Sequence, residues 1–96
     1  MIKVVKITYK AVFDKDEGGN INIYFPSLPG CLSYSDTTEN AYTMARDAME
    51  LYLDGKKFVD LPIEYADQRC NRVLHNITVN MNLQQGFLYG LNVKRI

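Results

Sequence analysis

The sequence has no tryptophan, one histidine, two cysteines and three prolines in 96 residues. Each shortage excludes something. One histidine and two cysteines at unrelated spacing, Cys31 and Cys70, cannot supply a spaced ligand set, so no metal site and no other cofactor is expected. There is no signal-peptide pattern and no apolar run near the roughly 18 residues that a membrane helix needs. The chain therefore reads as a cytoplasmic protein with reduced thiols and no membrane contact. Eleven cationic side chains face eleven anionic ones. Phosphate binding rests on accumulated Lys and Arg, so the totals point away from nucleic acid unless a local basic patch exists.

What is there suffices for one domain. Hydrophobic residues make up 47% of the chain. A chain of this size buries roughly 60–68% of its unfolded surface, enough for one core with little spare. Oligomerisation is a common way to cover the remainder.

The first run, Ile2 to Phe13, alternates with period two. Val5, Ile7, Tyr9, Ala11 and Phe13 share one face; Val4, Lys6, Thr8, Lys10 and Val12 share the other. That is a strand with its odd-numbered face toward a core. The charged residues 14–17 followed by Gly18-Gly19-Asn20 make a turn. Ile21, Ile23 and Phe25 then alternate with Asn22 and Tyr24, which completes a hairpin. Pro26 and Pro29 cannot donate to a ladder, so Pro26 to Gly30 is a loop at the sheet's edge. Cys31 to Ser35 is a short third strand.

Asp36 or Thr37 caps a helix. Asp36 with Glu39 fits the reciprocal capping spacing, whereas Thr37 meets Asn40 where Glu or Gln is wanted. The helix runs from about Thr38 to Leu53, with Ala41, Met44, Ala45, Ala48, Leu51 and Tyr52 as its core stripe. Arg46, Asp47 and Glu50 are expected toward solvent. Tyr42, Met49 and Leu53 form a flank that reads either as a wide core face or as a subunit contact. Asp54-Gly55 stops the helix.

Lys56 to Arg72 is a long connection, functional or ordered on a partner. Val73 to Leu83 alternates again: His75, Ile77, Val79, Met81 and Leu83 inward, Asn76, Thr78, Asn80 and Asn82 outward. Gln84-Gln85-Gly86 breaks this fourth strand, and Phe87 to Ile96 reads as a short helix or an edge strand. The expected class is α+β, ordered β-β-β-α-β, a mostly antiparallel sheet with one helix on one face. A strand–helix–strand return would place strand four parallel to another strand.

Residues 20–53 resemble the HicB-like antitoxin family. Phe25-Pro26-Ser27-Leu28-Pro29-Gly30-Cys31 matches the family's Phe-Pro-x-Leu-Pro-Gly-Cys, and Asp36-Thr37, Ala41, Ala48 and Leu51-Tyr52-Leu53 follow at fitting positions. Two residues depart from the pattern: Ser35 stands where Gly is usual, and Asn40 where a second Glu is usual. The resemblance implies a partial ribonuclease H-like fold and a protein that binds and blocks HicA, a small toxin that cleaves messenger RNA. Many members add a C-terminal operator-binding domain. Only residues 84–96 follow strand four here, too few for one, so a single domain spanning 1–96 is expected and DNA is not an expected partner.

Residual chemistry finds little support. Ribonuclease H catalysis clusters carboxylates on strand one, the helix and strand four around metal ions. Strand one carries Lys6, Thr8 and Lys10, strand four carries asparagines, and Asp47 and Glu50 are left without partners. Cys31 would need His75, which sits on the core side. No catalytic residue is assigned, and the protein is expected not to be an enzyme. The alternative function is an RNA-binding module. Lys6, Lys10, Tyr24 and Tyr9 with Lys94 and Arg95 are the basic-aromatic set, but Tyr9 points to the wrong face and no ribonucleoprotein-type motif is present.

The expected partner-binding residues are Pro26, Leu28, Pro29 and Gly30 in the turn, Tyr34 in the third strand, and Lys6, Lys10 and Tyr24 on the polar sheet face. Self-association is expected through a strand edge or through Tyr42, Met49 and Leu53. The expected partners are a small toxin-like protein and a second copy of the chain, with RNA as the alternative.

Overall fold

The computed structural model describes residues 3–63 and 74–91. Cys70, Lys94, Arg95 and most of the 56–72 connection fall outside them. The order is β1 (Lys3–Lys15), β2 (Ile21–Tyr24), β3 (Leu32–Ser35), α1 (Thr38–Leu53), a short 3-10 turn (Phe58–Asp60), β4 (Leu74–Gln84) and β5 (Phe87–Gly90). The strands form one sheet in the order β3-β2-β1-β4-β5. The α+β class and the single helix on one face are as expected. Within the stretch after strand four that is ambiguous in sequence, Phe87–Gly90 form an edge strand. Gln85 at φ 56° and Gly86 at φ 85° make the tight turn into it, the paired positive φ values that suit the twist of a hairpin.

All four strand pairings are antiparallel, which corrects the expected parallel neighbour. The reason lies in where the helix ends. A 16-residue helix spans about 24 Å, and α1 runs from beside β3 to beside β5. At its end, the Asp54 side chain accepts a hydrogen bond from Gly90 N–H at 2.9 Å. Leu74 opens β4 at the other end of the sheet, opposite Val12. β4 starts from that end and runs antiparallel to β1.

The core lies between α1 and the odd-numbered face. Ile7, Tyr9, Ala11, Ile21, Ile23, Phe25, Ile77, Val79 and Met81 meet Ala41, Ala45, Met49 and Leu53 there. The buried helix row thus steps by four residues, which corrects the expected stripe: Met44 and Leu51 are exposed, while Met49 and Leu53 are fully buried. An i, i+4 row slants across a helix, and this slant matches the oblique path of α1 from β3 to β5. Glu50, expected in solvent, is 6% exposed. The helix cap is Thr37, whose side-chain oxygen accepts from Asn40 N–H at 3.1 Å. Buried Ser35 explains the choice: its hydroxyl donates to Thr37 O at 2.7 Å and accepts from Thr37 N–H at 3.3 Å, which fixes Thr37 rather than Asp36 at the boundary.

Candidate functional site

The Pro26–Gly30 loop is two overlapping β-turns. Leu28 N–H bonds to Phe25 O, and Cys31 N–H to Leu28 O, both at 3.0 Å. Each turn has proline at its second position, where a fixed φ is favourable. In the second turn Gly30 takes φ 86° at the third position, a left-handed conformation costly for a side-chain-bearing residue. Leu28, shared by both turns, is fully buried and belongs to the core cluster. It is the anchor of the loop, so its expected role as a partner contact is corrected. Pro26 is half-buried; Pro29 and Gly30 are exposed. The Tyr52 hydroxyl donates to Pro29 O at 3.0 Å and ties the loop to the helix.

The even-numbered face carries no helix. Across β1 and β4, Lys6 opposes Asn80, Thr8 opposes Thr78 and Lys10 opposes Asn76. The two threonine hydroxyls hydrogen-bond at 2.7 Å. Beyond them the character changes. Leu32 opposes Tyr24, Tyr24 opposes Val12, and Val12 opposes Leu74. Opposed residues of antiparallel strands share a face, so four apolar side chains form one row across four strands. Val12 is 0% exposed although it lies outside the main core cluster. Leu32, at the row's open end, is 70% exposed. In the adjacent row Tyr34 opposes Asn22, which opposes Asp14.

The structure therefore gathers Tyr24, Tyr34 and Lys10 around an apolar row and places Lys6 further along the same face. Leu32 and Leu74 complete this row, and neither is among the residues expected from sequence to bind a partner. The signal was present: Val12 and Tyr24 are apolar at outward positions of paired strands, and an apolar residue there invites apolar neighbours in register.

The helix flank divides. Met49 and Leu53 are in the core and present nothing to a second copy. Tyr42 remains accessible; its hydroxyl meets His75 Nδ1 at 2.6 Å, and Phe13 stacks on the His75 ring at 4.2 Å.

Cys31 and His75 do not form a reactive pair. Cys31 directly precedes β3 and His75 lies on β4, three strand spacings away, about 14 Å at the usual strand separation. Burial pushes the Cys31 thiol up to about 11, so the nucleophilic thiolate is scarce near neutrality. Arg46, Asp47 and Glu50 line a groove of about 240 Å³ with Thr78, Val79, Asn80 and Leu91. Among the described residues, no three His, Cys, Asp or Glu side chains gather to hold a metal. The basic-aromatic set is also separated, because buried Tyr9 donates its hydroxyl to Pro62 O at 2.5 Å on the helix side. Among the described residues, no helix is long and apolar enough to cross a membrane.

Two comparisons bear on the site. Residues 9–69 match the family described as HicB_like antitoxin of bacterial toxin-antitoxin system. The chain is also similar to a UPF0150 protein of Archaeoglobus fulgidus, 36% identical over 52 residues, which cover 54% of this chain and 75% of that protein.

Proposed function

Because the chain belongs to the HicB-like antitoxin family, we propose that it binds a small toxin protein of the mRNA-cleaving HicA type and occludes its working surface, doing no chemistry itself. It would act in the cytoplasm, where such a toxin meets messenger RNA. One structural observation carries the choice of surface: on the sheet face opposite the helix, exposed Leu32 and half-buried Tyr24 and Leu74 share one apolar row, with fully buried Val12 beneath it. An apolar strip flanked by polar groups is the usual anatomy of a protein interface, and a half-buried tyrosine is a favourable anchor within it. Tyr24 would be that anchor. Tyr34, Lys6 and Lys10 would flank it, and Pro26, Pro29 and Gly30 would form the rim beyond β2.

The test is inhibition of a HicA-type ribonuclease by the purified chain, with binding followed by calorimetry. The expected result is stoichiometric inhibition, with affinity reduced about tenfold or more by Tyr24→Ala, equivalent to about 1.4 kcal/mol, and unchanged by Glu17→Ala in the β1–β2 turn. Absence of binding at tens of micromolar (the order of a weak complex) would overturn the reading. Salt-sensitive retention of RNA, lost on Lys6→Ala or Lys10→Ala, would replace it with the RNA-binding alternative.

A further inference from the structure

β1 is an inner strand that outruns one of its neighbours. β4 pairs with Lys3 to Val12 along one margin. On the other margin β2 pairs only with Val12 to Lys15, since the turns at Pro26 to Gly30 lead the chain away. Among the described residues, no strand pairs with residues 3–11 on that second margin. Nine residues make roughly 30 Å of strand, and an unpaired margin is a template for a further strand.

A groove of about 290 Å³ lies against this margin, lined by the four consecutive residues Lys6 to Tyr9 and by Phe58, Leu61 and Pro62. Consecutive strand residues point to opposite faces, so a groove that touches all four opens at the strand's margin and not on either face alone. β4 fills one margin there, which leaves the one that β2 does not reach. The bond from the Tyr9 hydroxyl to Pro62 O holds the groove's far wall in place.

We propose that an extended acidic segment of a partner protein adds to this margin as a further strand, its apolar side chains entering the groove on the helix side and its carboxylates standing beside Lys6 on the open side.

Charge and face select that occupant. Between residues 3 and 10 the strand carries Lys3, Lys6 and Lys10 and no acid, and β4 opposes the three with Leu83, Asn80 and Asn76. Lys3 and Lys6 are exposed. An opposite charge across a strand pair stabilises it and a like charge opposes it. Lysine on an unpaired margin therefore discourages a second copy of β1 and admits an acidic strand. On the helix side Ile7 and Tyr9 are buried, while Phe58 is 40% exposed and offers apolar surface. A segment that alternates carboxylate and apolar residues suits both faces at once, and in strand addition the main chain supplies affinity while alternate side chains supply specificity. The site is separate from the apolar row around Tyr24 and does not rest on toxin binding.

The experiment titrates the full chain into a fluorescein-labelled heptapeptide of alternating glutamate and valine, followed by anisotropy. The control peptide has the same composition with its glutamates and valines in two blocks. The alternating peptide should bind at least about tenfold more tightly than the block peptide. Lys6→Glu, at an exposed position, should weaken it about fivefold and should instead take up the matching lysine–valine peptide. Phe58→Ala should weaken it too, and Tyr24→Ala should leave it unchanged. Equal binding of the alternating and block peptides overturns the proposal, because charge alone would then suffice. So does indifference to Lys6→Glu, or loss of binding on Tyr24→Ala, which would put the peptide on the apolar row. So does no binding at roughly 1 mM. Hydrogen exchange on the wild type decides without any variant: the amides of residues 3–9 that β4 leaves unbonded must slow when the alternating peptide is added, and unchanged rates overturn the pairing.

Discussion

β3 and β5 are strands of four residues each at opposite margins of one sheet, and their fates differ. β5 arrives last and lies beside the end of α1, so residues 54–58 reach it and close its outer side. β3 runs almost directly into its helix. Ser35 turns inward to hold Thr37, and among the described residues no segment bonds along the strand's outer side. Among the described residues, the same sheet therefore has one margin closed by the chain and one left unpaired. Connectivity, more than composition, separates the two edges.

The sharpest way to break this comparison is to empty each margin in turn. Leu88 is fully buried under the closed margin, and Leu88→Ala should cost about 2–5 kcal/mol, as for other large-to-small core changes. Leu32→Ala on the open margin should change the stability of the dilute protein by no more than about 0.5 kcal/mol. Urea denaturation of both variants checks the contrast, and equal losses would show that β3 is as integral as β5. Next in size is Asp54→Ala. It leaves the buried Gly90 N–H without its acceptor, a desolvation cost of about 1–3 kcal/mol. Hydrogen exchange at Gly90 should accelerate, while exchange at Ser33 stays as it was.

How far the sequence revealed this arrangement depended on the range of the forces involved. Local signals were legible. The alternation in residues 2–13, 20–25 and 73–83 placed three strands within two residues of their bounds, and the helix matched from Thr38 to Leu53. The double-proline loop was recognisable as a turn, but not that Leu28 is buried beneath it. That depends on the helix passing below, which Tyr52 reports by bonding Pro29. The direction of β4 was hidden for the same reason, since a strand's orientation depends on where a distant helix ends. The helix stripe was misassigned because spacing alone does not say at what angle a helix crosses its sheet; an oblique crossing exchanged Met44 and Leu51 for Met49 and Leu53. The apolar row on the open face needed the register of four strands, and no single stretch of sequence contains it.

A smaller effect tests how β3 joins α1. Asp36 and Thr37 compete for the cap in the sequence, and the structure gives it to Thr37. Thr37→Ala should cost about 1 kcal/mol by loss of the bond to Asn40 N–H, and Asp36→Ala less than about 0.5 kcal/mol. Thermal melts of the two variants separate the assignments, and the reverse order would move the cap back by one residue.

The smallest effect concerns the root of the open margin. Cys31 precedes β3, and burial raises its thiol from 9.0 to about 11. Below pH 9 both the folded and the unfolded chain keep the proton, and the thiol gives stability no slope. As pH rises from 9 toward 11, the unfolded chain loses the proton and the folded chain holds it. The unfolded state then binds fewer protons, so stability must fall with pH in that window. Denaturation midpoints in a Cys70→Ser background should therefore decline across it, and Cys31→Ala should flatten that decline. A decline that survives Cys31→Ala would mean that another group titrates. Rapid alkylation of Cys31 at pH 8 would mean that the strand opens at its base, so that this margin of the sheet is frayed.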